Sequence, residues 1–84
     1  MLSYYIVCRS LTLAQRTAVV LERAGIRAAI YRSPKSISGE GCSHSVKIAQ
    51  THLPIALQTL HQNGMDPKRI YMLNEDGKYE EVSL

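Results

Sequence analysis

The residue types able to do chemistry gather in one stretch, Pro34-Lys35-Ser36-Ile37-Ser38-Gly39-Glu40-Gly41-Cys42-Ser43-His44. Its centre is the thiol of Cys42. A cysteine pKa falls beside cations and at helix N-termini. Lys35, Arg32, Arg9 and His44 supply cations or potential cations there. Gly39 and Gly41 let the backbone come close and turn its N–H groups toward an anion. His44, two residues beyond Cys42, is a ready acid or base if the backbone turns. In an extended strand, residues two apart share a face, so both side chains then point the same way. The pattern points to a reactive thiolate. The bland reading is a small exposed cysteine beside a solvated histidine, with Cys8 a core thiol.

Other chemistries fit less well. Gly39-Glu40-Gly41 is too short and wrongly placed for a Walker loop or a dinucleotide fingerprint. Cys42, His44, His52 and His61 match no recognised structural zinc pattern, and there is no Cys-x-x-Cys pair. Glu40 stands alone as a carboxylate near the loop, and no Ser-His-Asp arrangement can be placed. No cofactor and no metal is expected, and a carrier or accessory role comes before an enzyme.

The elements that must position this loop follow from periodicity. Tyr4 to Cys8 is aromatic and β-branched and predicts a buried strand. Ser10 or Thr12 can cap a helix whose stripe is Ala14, Ala18 and Leu21, widened by Leu11, Val20 and Ala24. Gly25 stops it, with Ile26 as the apolar residue of a Schellman cap. Arg27 to Arg32 predicts a second strand, ended by Pro34. Ser33 to Ser45, with five Ser and two Gly, has no helix or strand pattern. Val46 to Ala49 predicts a third strand. Thr51 is the expected N-cap of a second helix, with Pro54 early in it and Leu53, Ala56, Leu57 and Leu60 as its stripe. Gly64 ends it. Arg69 to Leu73 predicts a fourth strand, Asn74 to Gly77 a turn, and Lys78 to Val82 a short extra strand or a loose tail.

The order β-α-β, loop, β-α-β predicts an α+β chain. Its expected architecture is one ferredoxin-like domain over residues 1–84, a split βαβ with a four-stranded antiparallel sheet and two helices on one face. A right-handed crossover gives strand order 4-1-3-2. The loop then shares an end of the sheet with Arg9 and Ser10, and Cys8 lies close enough to Cys42 to act as a resolving thiol. Ile6, Cys8, Ala28, Ile30, Val46, Ile48, Ile70 and Met72 are expected to face the helices. Tyr5, Val7, Tyr31, Lys47 and Tyr71 are expected on an open, sticky face, which predicts a homodimer by sheet packing.

Composition bounds the rest. The chain has 84 residues, 45% apolar and 20% charged, with a net charge of +3, which is globular rather than disordered. Residues 1–42 carry six Lys or Arg against two acids, and residues 43–84 carry four against five. No apolar run approaches the roughly 20 residues of a membrane span, and no secretion signal is evident, so a cytoplasmic location is expected. There is no Trp or Phe. RNA binding ranks last: Val46 to Ala49 lacks the stacking aromatic that RNA-binding sheets of this class carry, and the charge is weak.

The chain resembles a family of small bacterial selenium/sulfur carrier-like proteins. The resemblance rests on Tyr4-Tyr5-Ile6-Val7, Glu22 to Ile26, Pro34, Gly41-Cys42 and Asn63-Gly64, and spans residues 3 to 73. The family loop often has Gly after the cysteine, where this chain has Ser43. The resemblance implies a sulfur or selenium carrier. Cys42 would hold a persulfide or selenopersulfide, with Gly39, Gly41, Lys35, Arg9, Arg32 and His44 binding or tuning it. The implied partners are a protein donor, such as a cysteine desulfurase, and a protein acceptor. The alternative is a non-catalytic oligomeric module that binds a small ligand or metal and regulates.

Overall fold

The computed structural model describes residues 2–33, 44–67 and 69–82. The elements run β1 (Ser3–Cys8), α1 (Leu11–Arg23), β2 (Ala29–Arg32) and β3 (His44–Ala49). A 3-10 turn (Gln50–His52), α2 (Leu53–Gln62), β4 (Ile70–Leu73) and β5 (Tyr79–Glu81) follow.

The strands form one antiparallel sheet in the order β2-β3-β1-β4-β5. The expected order of the first four is found. The expected four-stranded sheet is corrected to five strands, because Lys78 to Val82 takes the extra-strand alternative and Tyr79–Glu81 pairs with β4. The turn between them explains why. Asn74 Oδ1 accepts from the backbone N–H of Asp76 and Lys78, each at 3.0 Å, and Gly77 takes φ 78. An Asn that holds its own turn, followed by a Gly free to adopt positive φ, reverses the chain tightly enough to pair.

Alternation along each strand makes the core. Ile6 and Cys8 of β1, Val46 and Ile48 of β3, and Ile70 of β4 are buried with Ala14, Ala18 and Leu21 of α1 and Ala56 and Leu60 of α2. Each aliphatic side chain of this size stabilises by about 1.5–3 kcal/mol when fully buried. Alanines on both helix stripes let α1 and α2 lie against each other and the sheet. Thr17 joins the α1 stripe and is buried, whereas Leu11 and Ala24 are exposed. The polar Thr17 is tolerated because its Oγ1 donates to the Leu13 carbonyl at 2.8 Å.

Both helices end in the same way. Ile26 N–H donates to Leu21 O and Gly25 N–H to Glu22 O; Met65 N–H donates to Leu60 O and Gly64 N–H to His61 O. With Gly25 at φ 83 and Gly64 at φ 73, these are two Schellman motifs. The start of α2 differs from expectation: Thr51 lies inside the 3-10 turn and His52 is the N-cap, with no side-chain cap bond. The helix begins one residue later because Gln50 to His52 already winds into it.

The other sheet face is not bare. Tyr5 is only 8% exposed. Its ring meets Tyr31 edge-on at 6.4 Å and Tyr79 at 5.5 Å. Lys47 Nζ lies 5.8 Å from the Tyr31 ring centre, and the Arg69 guanidinium 5.3 Å from that of Tyr71. Arg69 also donates to the Tyr71 hydroxyl. The stickiness expected of this face is reduced, because its rings pack on each other and on cations. Tyr79 was not assigned to this face by the sequence, and reaches it because Lys78 to Val82 takes the strand alternative. At the rim, Ile30 is exposed although it shares the helix side with Val46.

Candidate functional site

Of the predicted site residues, Lys35, Gly39, Gly41 and Cys42 lie outside the described residues. The structure describes what surrounds their points of attachment. Ser33 follows β2 and His44 opens β3, and these two strands are adjacent and antiparallel.

His44 belongs to β3, not to the loop. It is the Cα partner of Cys8 on β1 and of Arg32 on β2. Cys8, His44 and Arg32 therefore form a row across three strands. Residues opposed in this way have Cβ atoms about 4.5–5.5 Å apart. The alternation that buries Ile6, Val46 and Ile48 puts all three on the helix side. β1 runs from Cys8 through Arg9 into Ser10, the N-cap of α1, whose Oγ accepts from Leu13 N–H at 3.2 Å. The first turn of α1 carries no acidic residue. The helix N-terminus keeps its partial positive charge, beside an exposed Arg9.

Ser33 and Ser45, on either side of residues 34–44, are joined by a contact that residue types alone do not announce. Ser33 Oγ and Ser45 Oγ are 2.6 Å apart and both residues are buried. Thr17 is a second omission: its Oγ1 lies 3.8 Å from Cys8 Sγ. Its place three residues after Ala14 and four before Leu21 was the available signal.

Cys8 is the core thiol of the bland reading. It is 4% exposed, with Sγ 3.8 Å from the Ile6 carbonyl as well. Burial pushes its pKa up, and the Thr17 hydroxyl offsets part of that. It rests protonated at neutral pH. The His44 side chain is different. Its Nδ1 is buried, with no hydrogen-bond partner among the described residues. A buried ring nitrogen without a partner is costly unless something completes it.

Among the described residues, no group of three or more His, Cys, Asp or Glu is arranged to hold a metal ion. No described helix is long and apolar enough to cross a membrane.

Residues 3–72 match the model of a family described as "Putative Se/S carrier protein-like". The chain belongs to this family. Neither the comparison with curated proteins nor that with solved structures gives a match. In this Se/S carrier-like chain, the match runs from the start of β1 into β4 and stops before β5. It thus includes both Schellman ends, the row of Cys8, His44 and Arg32, and the segment that bears Cys42.

Proposed function

We propose that this protein carries sulfane sulfur or selenium on Cys42, between a protein donor such as a cysteine desulfurase and a protein acceptor. Membership of the Se/S carrier-like family carries the reading. The ferredoxin-like split βαβ, in one domain over residues 1–84, is the scaffold it implies, with β5 added at one edge.

The chemistry needs a thiolate and an anion-tolerant setting. The Cys42 thiolate attacks the outer sulfur of the donor's persulfide. A new S–S bond forms to Cys42, the donor's S–S bond breaks, and the donor cysteine leaves as thiolate. The product is a perthiolate, ionised at neutral pH. Delivery repeats the exchange with the acceptor as nucleophile. No net oxidation occurs, and no bound cofactor is needed on this chain. Support comes from the residues around the attachment points: exposed Arg9 and Arg32, the uncompensated N-terminus of α1, and His44 two residues from Cys42. Lys35, Gly39 and Gly41 complete the anion-binding set in this reading.

The test is intact mass after incubation with a cysteine desulfurase, cysteine and pyridoxal phosphate. The expected result is a gain of one sulfur that is absent from Cys42→Ser, with the circular dichroism of the variant unchanged. No gain in the wild type, with its thiol freely alkylated, overturns the proposal.

A further inference from the structure

The two edges of the sheet are β2 and β5, and among the described residues neither has a strand on its outer side. Their charges are opposite. Residues 27–33 hold Arg27 and Arg32 and no acid; residues 74–82 hold Glu75, Asp76, Glu80 and Glu81 against Lys78. All seven of these charged residues are exposed. Both edges run parallel to β1, since each is antiparallel to a strand that is antiparallel to β1. A second copy in the same orientation therefore brings its β5 alongside β2 as a parallel neighbour, with all helices on one side.

The register of that junction follows from the rings. Tyr31, Tyr5 and Tyr79 form an edge-to-face row that spans the sheet from rim to rim. Its Tyr31 end is 49% exposed. Setting Tyr31 beside Tyr79 of the second copy continues the row across the junction. The same register sets Arg32 beside Glu80, both on the helix side, because strand parity is preserved. Arg27 before β2 and Glu75 in the turn before β5 add to the opposite charge of the two edges without a fixed pairing. Pairing β2 with β2 would instead bring arginines onto arginines.

We infer that this protein self-associates head to tail, the basic β2 edge of one copy adding to the acidic β5 edge of the next. Such a heterologous contact leaves a free edge at each end, so growth continues past two copies unless a ring closes. With strands of four and three residues, each junction is weak and steered by charge. This inference is independent of the carrier reading, which needs no second copy.

Sedimentation velocity over a concentration series, at low and high salt, tests it. Wild-type mass is expected to rise with concentration beyond a dimer and to fall back in high salt. Arg32→Glu alone and Glu80→Arg alone each weaken association roughly three- to tenfold. Mixing the two variants restores it, because each junction between unlike variants pairs opposite charges. Arg27→Glu is the second variant, should Arg32→Glu disturb the fold by circular dichroism. A monomer at every concentration, a closed dimer indifferent to both substitutions, or single variants that the mixture fails to rescue overturns the inference.

Discussion

Cys8 and His44 oppose each other across β1 and β3, each the other's Cα partner, on the side of the sheet covered by the helices. The thiol is closed in by Thr17 and the Ile6 carbonyl, while the imidazole Nδ1 is buried and unpartnered among the described residues. One row thus holds a sulfur kept neutral and an imidazole two residues along the chain from the other cysteine. The pairing gives Cys8 a packing role, which leaves Cys42 as the thiol of the proposed carrier chemistry.

That division is measurable by alkylation. In a Cys42→Ser background, Cys8 is the one remaining thiol. Because burial raises its pKa, iodoacetamide at neutral pH is expected to react at least roughly tenfold more slowly with the folded chain than with the urea-unfolded chain. Thr17→Val removes the hydroxyl that lowers the pKa and slows the reaction further. Equal rates folded and unfolded would show that Cys8 is accessible.

Alkaline pH should weaken the fold. Burial raises the Tyr5 pKa, with Tyr31 adding to it; burial and then Tyr5 raise that of Tyr79, against a lowering by Lys47. Cys8 shifts the same way. All three are neutral when protonated, and the folded chain holds those protons to higher pH than the unfolded chain. Their contribution is complete below the unfolded values and is lost as pH climbs through the folded ones. The urea midpoint is expected to fall from about pH 9 upward. Tyr5→Phe should flatten that fall. A midpoint constant to pH 11, on the order of one unit above an ordinary tyrosine, would contradict the burial of these groups.

The pair of Ser33 and Ser45 should behave as a unit. Ser45→Ala strands the buried Ser33 hydroxyl and should cost about 1–2 kcal/mol by urea denaturation. Ser33→Ala should cost a similar amount. The double variant should cost less than the sum, because the second change removes a group already left without its partner. Strict additivity would mean that the 2.6 Å contact contributes nothing.

Much of the scaffold is legible in the residues. Gly25-Ile26 and Gly64-Met65 announce both helix ends, and the alternation of Ile6, Cys8, Val46, Ile48 and Ile70 gives the buried face directly. β5 is harder to see, since Tyr79-Glu80-Glu81 has one apolar residue and no second to establish a period. His44 reads as the end of a loop until β1 and β2 pair with it on both sides, which is information from distant parts of the chain. Tyr5 looks exposed because alternation assigns a face but not what covers it. For the site, types and spacing point to Cys42, Lys35, Gly39 and Gly41, residues without the periodicity that ties a segment to a sheet or a helix.

The tyrosine row also gives the molecule an optical asymmetry. With no Trp and no Phe among 84 residues, near-ultraviolet circular dichroism comes chiefly from five tyrosines. Tyr5, Tyr31, Tyr71 and Tyr79 lie on the face away from the helices, and Tyr4 alone packs on the helix side. The far-ultraviolet signal is weighted toward α1 and α2. The two spectral regions therefore report on opposite layers of one sheet, and coincident melting curves would mean that both layers come apart in a single cooperative step.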